Sequence, residues 1–338
     1  MRASSAVLVD TSVRLWDLRF PSRRTLLART RGAYIHLDNL IAYSKRDRDG
    51  KVDAYLACYL PDEVVLLFFQ TGELVNAAMV SPVGRFTAAI SEALRHIRSE
   101  PERSEICFHE APAEQLAAMY ASCEQSPLDI RFDTTNPQSV FRPLVESGFN
   151  GLLELMADGK LNYLRVSSGR YAGGWFAECD AAQPPTEAVA RLFQCPPGMA
   201  RPNLSVKAFP GLDTLPHQAP PALVAIFRRF VWDLVDLAEH ELPGDAAKRA
   251  ERLRTRLAAS HEVLRNVGGP RGSQQADPIT EPAALADGVA AWSREFLGEL
   301  EIIHPGIAPR LLREAARDHR FALNALRFFE KLPWPIAW

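Results

Sequence analysis

Residues 54–80 read AYLACYLPDEVVLLFFQTGELVNAAMV, and this stretch decides the fold of the chain. It contains three apolar runs separated by two turn clusters, Pro-Asp-Glu at 61–63 and Thr-Gly at 71–72. Apolar and β-branched runs punctuated by short turns are typical of an antiparallel meander. The stretch therefore predicts three consecutive strands.

Residues 151–177 repeat the pattern as GLLELMADGKLNYLRVSSGRYAGGWFA. The two stretches align without a gap at an offset of 97 residues, which places Gly169 opposite Gly72. A helical pattern precedes each stretch, and another follows it, at 86–97 after the first and at 187–193 after the second. One repetition is too few for a solenoid, so we predict a tandem pair of modules.

The rest of the chain divides by composition. Residues 182–221 contain nine prolines, a density that favours an extended tether, within which 204–209 can pair as an edge strand. Four amphipathic helical patterns follow, the last from about 308 to 332, and these predict a bundle. A Gly-, Pro- and Gln-rich segment at 268–282 predicts a flexible loop between two of these helices.

The predicted class is thus α+β, with two tandem antiparallel-meander/helix modules followed by an all-α helical bundle. The expected boundaries are 1–135 for the first module, 136–195 for the second, 196–221 for the linker and 222–338 for the bundle.

Charge and cysteine content limit the functional classes. The net charge of −2 gives no electrostatic argument for nucleic acid or an anionic membrane as a partner. No stretch of 18 apolar residues exists, so we expect no membrane span. The chain has five cysteines, an odd number without C-x-x-C spacing, which favours a reducing compartment and the cytoplasm.

No arrangement of residues has the spacing of a known catalytic or metal site. His109 and Glu110 are adjacent and point in different directions, while Cys107 and His109 share a strand face without a second ligand pair. Residues 47–50 (DRDG) lack the downstream ligands of a calcium loop and predict a hairpin turn. We expect no catalytic residue, no cofactor and no metal.

The second stretch diverges from the first after Gly169. Paired glycines precede a tryptophan there, where the first stretch has Asn76 and Ala77, and such glycines mark a bulge or a close approach. Trp175 can line an interface or a small pocket, or it can belong to the core. The candidate interaction or ligand surface comprises Arg170, Tyr171, Gly173, Gly174 and Trp175, with Trp334 and Trp338 of the apolar C-terminal segment.

Residues 67–78, LFFQTGELVNAA, resemble the signature hairpin of PATAN domains, which are named after the N-terminal region of the PatA response regulator. The marker turn is carried by Gly72, Glu73, Val75 and Ala77. In the second stretch GLLEL at 151–155 matches the opening strand of that family, but Arg170 and Gly173-Gly174 depart from it. The resemblance covers roughly residues 35–195. It implies a bacterial signalling or motility module that acts by protein–protein contact and has no shared catalytic residues.

These observations lead us to expect a non-enzymatic regulatory or scaffold protein that binds another protein or a second copy of itself. A small-ligand sensor, with a pocket between the two modules near Tyr171 and Trp175, is one alternative. An enzyme of unrecognised type is the other, and it would require His109, Glu110 and a cysteine to meet in a deep cleft.

Overall fold

A computed structural model describes residues 14–44, 52–178, 184–194, 204–269, 271 and 275–336. The chain divides into two compact units, one formed by residues 1–88 and 93–216 and the other by residues 89–92 and 217–338. The boundary predicted at 135/136 does not separate compact units, because both meanders belong to the first one.

The elements of the first unit alternate between strands and helices. Its strands are β1 (Arg24–Arg31), β2 (Ala54–Tyr59), β3 (Val64–Gln70), β4 (Glu73–Ser81), β5 (Gly84–Ala88), β6 (Glu105–Glu110), β7 (Gly151–Ala157), β8 (Lys160–Ser167), β9 (Arg170–Trp175) and β10 (Leu204–Phe209). The helices are α1 (Leu37–Tyr43), α2 (Ile90–Ser99), of which residues 93–99 belong to this unit, α3 (Ala113–Glu124), α4 (Pro137–Ser147) and α5 (Pro185–Leu192). The α+β class and the helical C-terminal region are confirmed.

The strands form two separate antiparallel sheets. The first has the order β1-β6-β2-β3-β4-β5 and the second the order β10-β7-β8-β9. The element series from α1 to β6, which we call the first copy, recurs from α4 to β10, the second copy. In both copies the strand that follows the second helix pairs with the first strand of the meander. Among the strands that the structure describes, the additional edge strands β1 and β5 belong to the first sheet, and the second sheet has no counterpart of either.

The predicted repeat holds at its turns. Thr71 and Gly72 have φ values of 51° and 78°, and their counterparts Ser168 and Gly169 have 49° and 74°. Two successive positive φ values define a type I′ turn, which suits the twist of a two-residue hairpin and explains the Gly at its second position. The family-marker residues take ordinary places here, since Glu73 begins β4 and Ala77 is buried within it.

Side-chain and register details also repeat at the same offset. The amide of Thr71 donates to Asp53 Oδ1 at 2.7 Å, and the amide of Ser168 donates to Asn150 Oδ1 at 2.8 Å. The β3–β4 ladder shifts register at residues 68–69, and the β8–β9 ladder shifts at residues 165–166. The two copies therefore share a fold down to a β-bulge.

Two predicted segments are wrong. The second copy does not end at 195, because residues 204–209, confirmed as an edge strand, form β10 within the predicted linker. Pro210 directly follows this strand and no proline interrupts it, so every β10 amide remains available to the ladder. The helix predicted at 86–97 begins only at Ile90, since residues 84–88 pair with β4 as β5.

The second sheet is covered on both faces. Leu153, Leu155 and Leu164 pack with Val140 and Leu144 of α4. The opposite face belongs to a core shared with α3 and the first sheet. Helix α3 contacts β2, β4 and β5 on one side and β8 on the other, so it lies between the sheets.

The second unit is a bundle of α6 (Pro221–Glu241), α7 (Ala246–Leu257), α8 (Pro282–Ile303), α9 (Ile307–Ala316) and α10 (Arg320–Ala325). The single helix predicted over 308–332 is broken after Ala316 by a 3₁₀ turn, and Arg327 has a φ of 52°. No helix in the described part of the chain is long and apolar enough to cross a bilayer.

The loop predicted as flexible at 268–282 is anchored at one point. Arg228 donates to the carbonyl oxygens of Asn266 and Ala276 and pairs with Asp277 at 2.6 Å. A half-buried guanidinium needs several acceptors, and these segments supply them. Residues 270 and 272–274 of the predicted loop lie outside the described part of the chain, as do residues 47–50 of the predicted hairpin turn.

Candidate functional site

The predicted surface residues do not form one group. Trp334 packs against the core of the helical unit, and Trp338 lies outside the described residues. The other five lie on β9, which is one of the two edge strands of the second sheet as formed by the described residues. Tyr171 packs on the α4 face and Trp175 on the opposite face, so they do not line a common pocket.

An open cleft of about 510 Å³ lies beside Trp175 in the first unit. Helix α3, the second sheet and the segment that follows β10 form its walls. Its apolar lining includes Ala172 and Leu152, and its charged lining residues are Glu114, Arg165 and Asp213. The cleft thus combines a half-buried indole with groups of both charge signs.

Beside the cleft, the two copies differ in three side chains. In the first copy, Phe68 is fully buried and contacts Tyr120 edge-on, at 5.8 Å between ring centroids. Its counterpart in the second copy, at the same offset, is Arg165, which is exposed. Across the ladder, Phe68 pairs with Asn76, which is buried, and Arg165 pairs with Gly173.

Gly173 leaves the space beside Arg165 open. A Cβ added there would meet no heavy atom within 4 Å, whereas the Asn76 side chain donates to the carbonyl oxygen of Pro216 at 2.8 Å. The position therefore holds a buried, hydrogen-bonded side chain in the first copy (Asn76) and no side chain in the second (Gly173). Trp175, which replaces Ala78 of the first copy, lines the cleft together with Arg165 and has the larger apolar surface.

The charged residues of the cleft are not neutralised by one another. Glu114, Arg165 and Asp213 are all exposed, and none of them forms an ion pair with another residue in the described ranges. Exposed charges without partners in the same cleft can pair with charges on a bound molecule. The cleft is therefore suited to polar recognition around an apolar centre.

Hydrogen bonds fix the wall of the cleft. The side chain of Gln125 donates to the carbonyl oxygen of Gly211 and accepts from its amide, both at 2.9 Å. Gly211 has a φ of 81°, so the chain turns sharply there. Asn150, which also lines the cleft, holds the turn before β9 through the amide of Ser168. The cleft is thus pre-formed.

Cys107, His109 and Glu110, the residues considered for catalysis, are engaged in other contacts or kept in an unreactive state. Burial raises the pKa of Cys107 to about 11, so its thiol stays protonated. His109 Nδ1 lies 3.2 Å from the Thr25 hydroxyl, and Glu110 pairs with Arg24 at 2.9 Å. Across the described ranges, no three His, Cys, Asp or Glu residues are placed to hold a metal ion.

Sequence reasoning singled out Trp175 but missed the charged residues around the cleft. Arg165 carried a usable signal, because it is the charged counterpart of an apolar residue in an otherwise gap-free repeat. Glu114 and Asp213 carried none, since both lie far from β9 in sequence and only the fold brings them near.

No protein-family model, curated protein or solved structure matches this chain. The resemblance to PATAN domains therefore remains a prediction. The geometry of the cleft and the comparison between the two copies supply the functional argument.

Proposed function

We propose that this chain is a non-enzymatic cytoplasmic binding protein with a regulatory or scaffold role, and that its partner is another protein. The cleft beside Trp175 and the neighbouring strand β9 form the contact surface. The observation that carries the proposal is the divergence between the copies, in which a buried Phe68–Asn76 position becomes an open Arg165–Gly173 position. The resemblance to PATAN domains is consistent with a place in bacterial signalling or motility.

The chemistry of the cleft favours binding over catalysis. Tryptophan and arginine are enriched among residues that dominate protein–protein binding energies, and both border this cleft. The described cysteines are buried, with thiol pKa values raised to about 12 for Cys58 and about 11 for Cys107 and Cys123. None of these thiols supplies a nucleophile near neutral pH.

Affinity capture with the full chain tests the proposal. The wild-type protein and a Tyr34→Ala control, which removes a 79% exposed aromatic side chain elsewhere in the first unit, should recover the same partner. Trp175→Ala and Arg165→Ala should lose it while keeping the circular dichroism spectrum of the wild type. A partner recovered equally by all four proteins would contradict the proposal.

A small-ligand sensor is the second candidate, and the size of the cleft favours it. Its volume of about 510 Å³ falls in the range of about 300–1,000 Å³ typical of small-molecule sites. A metabolite panel should then contain a compound that raises the melting temperature of the wild type and not of Trp175→Ala. Absence of any such shift would exclude this candidate and leave the first.

A further inference from the structure

The two copies differ in what lies beside the last strand of the meander. In the first copy β5 pairs with β4 over five residue pairs, from Ala77↔Ala88 to Ser81↔Gly84. In the second copy β9 is the equivalent of β4, and no strand from the described ranges pairs with its outer side. The chain thus supplies its own additional strand to one copy and none, within those ranges, to the other.

Strand β9 has few of the features that protect a sheet edge. Edge strands are commonly blocked by proline, by lysine or by inward-pointing charges, because their backbone groups otherwise pair with another chain. β9 reads RYAGGW, with one charge at its first residue and two half-buried glycines, which carry no side chain that could block the edge. Its bulge lies at Ala172, and Gly173 to Trp175 lie beyond it, as the residues of β4 that pair with β5 lie beyond the β4 bulge.

We propose that β9 receives an extended peptide segment of the partner as an added antiparallel strand along its outer side, the side that corresponds to the β5 side of β4. This proposal rests on the proposed function and specifies its mode of recognition. Main-chain hydrogen bonds along β9 supply part of the affinity, and the Trp175 cleft selects the side chains.

The open position at Gly173 defines one of those side chains. Gly173 pairs with Arg165, so the peptide residue opposite Gly173 lies two strand spacings from Arg165, or about 10 Å between their backbones. With no side chain on Gly173, an acidic side chain of the peptide and the Arg165 guanidinium meet above it. The residue at this peptide position is therefore Asp or Glu.

Trp175 defines the second side chain. It lies two residues beyond Gly173 on the same face of the strand, and an antiparallel peptide places the residue two positions before its acidic residue opposite it. The indole offers an apolar surface there. The segment recognised is thus extended and carries the order apolar, any residue, acidic.

A displayed library of random twelve-residue peptides, selected on the full-length protein, tests this inference. The selected peptides should share the apolar-x-acidic order. Trp175→Ala should weaken their binding about 30-fold, as expected for loss of an aromatic anchor. Arg165→Glu should reverse the preference at the acidic position, so that a peptide with Lys there binds the variant better than the Glu peptide does.

N-methylation of the peptide backbone separates strand addition from side-chain recognition alone. In an added strand alternate amides face β9, so methylating one alternating set should weaken binding about tenfold or more, and the other set should be tolerated. Equal effects of the two sets would overturn strand addition. A Tyr34→Ala control should bind every peptide as the wild type does.

The remaining outcomes also decide the question. If no selected peptide depends on Trp175 for binding, strand addition by a partner peptide is overturned. This holds equally if β9 is covered by another segment of this chain or by a second copy of it. If affinity capture of the partner still depends on Trp175, the proposed function is retained, but recognition by strand addition is not. Capture that does not depend on Trp175, together with no selected peptide, would contradict both.

Discussion

Arg85 on β5 and Glu154 on β7 form an ion pair in which each side chain is only 2% exposed. The pair joins the two sheets of the first unit. Arg85 also lies 3.4 Å from the Ser122 hydroxyl, which in turn lies 3.3 Å from the hydroxyl of Tyr163. Burial lowers the pKa of Arg85, but the charge and hydrogen bond of the Glu154 carboxylate, together with Tyr163, raise it above its ordinary value.

Removing one partner of this pair should destabilise the protein strongly. Arg85→Met leaves a buried carboxylate without its partner, which costs about 3–5 kcal/mol in comparable pairs. The double variant Arg85→Met/Glu154→Met should recover most of the loss, because both charges are then absent. Urea denaturation measures the free energy of unfolding of each variant.

An exposed ion pair provides the control. Arg142→Met breaks the pair with Glu146 on α4, where both side chains are largely exposed, and should change the free energy of unfolding by less than about 1 kcal/mol. A single variant of Arg85 that unfolds like the wild type would show that the pair does not hold the sheets together.

Gly169 should tolerate alanine less well than Gly148 does. Both have left-handed φ values, 74° and 62°, so each substitution carries a conformational cost of about 1–2 kcal/mol. An added Cβ at Gly169 would also overlap the backbone of Leu144 and Val145, whereas at Gly148 it meets nothing within 4 Å. Gly169→Ala should therefore lower the melting temperature further than Gly148→Ala; equal effects would contradict this packing.

The described thiols should be unreactive in the folded protein. In a Cys179→Ser/Cys195→Ser background, a thiol-specific disulfide reagent at pH 8 should label none of Cys58, Cys107 and Cys123. Their pKa values are raised by burial to about 12, 11 and 11, and burial also blocks access. All three should react after denaturation in urea. Rapid labelling of the native protein would revive a nucleophilic function.

His109 should make the fold less stable in acid. Burial lowers the pKa of its imidazole below the ordinary value of about 6.5, so the unfolded chain takes up a proton that the folded protein resists. Its contribution to stability is therefore present above about pH 6.5 and is lost as the pH falls through that value. His109→Gln should reduce the difference in free energy of unfolding between pH 7.5 and pH 5.5; an unchanged difference would assign the acid sensitivity to other groups.

The sequence predicted the meanders well because their signals are local. Apolar runs and the Thr71-Gly72 turn lie within a few residues of one another, and the repeat made the same signal visible at Gly169. The strand β5 was missed because Phe86 also fits the spacing of the helix that follows, and pairing with β4 decided the outcome. The segment that forms β10 was assigned to a linker because prolines are frequent on both sides of it. The strand itself contains no proline, so the proline content of the region did not reflect its ability to pair.

The site was less accessible to sequence reasoning because it depends on contacts between distant segments. The pairing of Arg85 with Glu154 spans 69 residues and follows no periodicity. The cleft requires α3, β8 and the chain after β10 to converge, which no local pattern specifies. Of the features of the site, the sequence showed only that Arg165 and Gly173 replace Phe68 and Asn76, because the two repeated stretches align without a gap.

Site-specific photo-cross-linking in intact cells tests the central claim, that the Trp175 cleft and β9 bind a partner protein. A benzophenone amino acid is placed at Ala172, which is exposed on β9 and lines the cleft, or at Arg142, which is exposed on α4. We predict a discrete protein adduct from position 172, none from position 142, and loss of the adduct on Trp175→Ala. No adduct from position 172, or one that persists in Trp175→Ala, would contradict the claim.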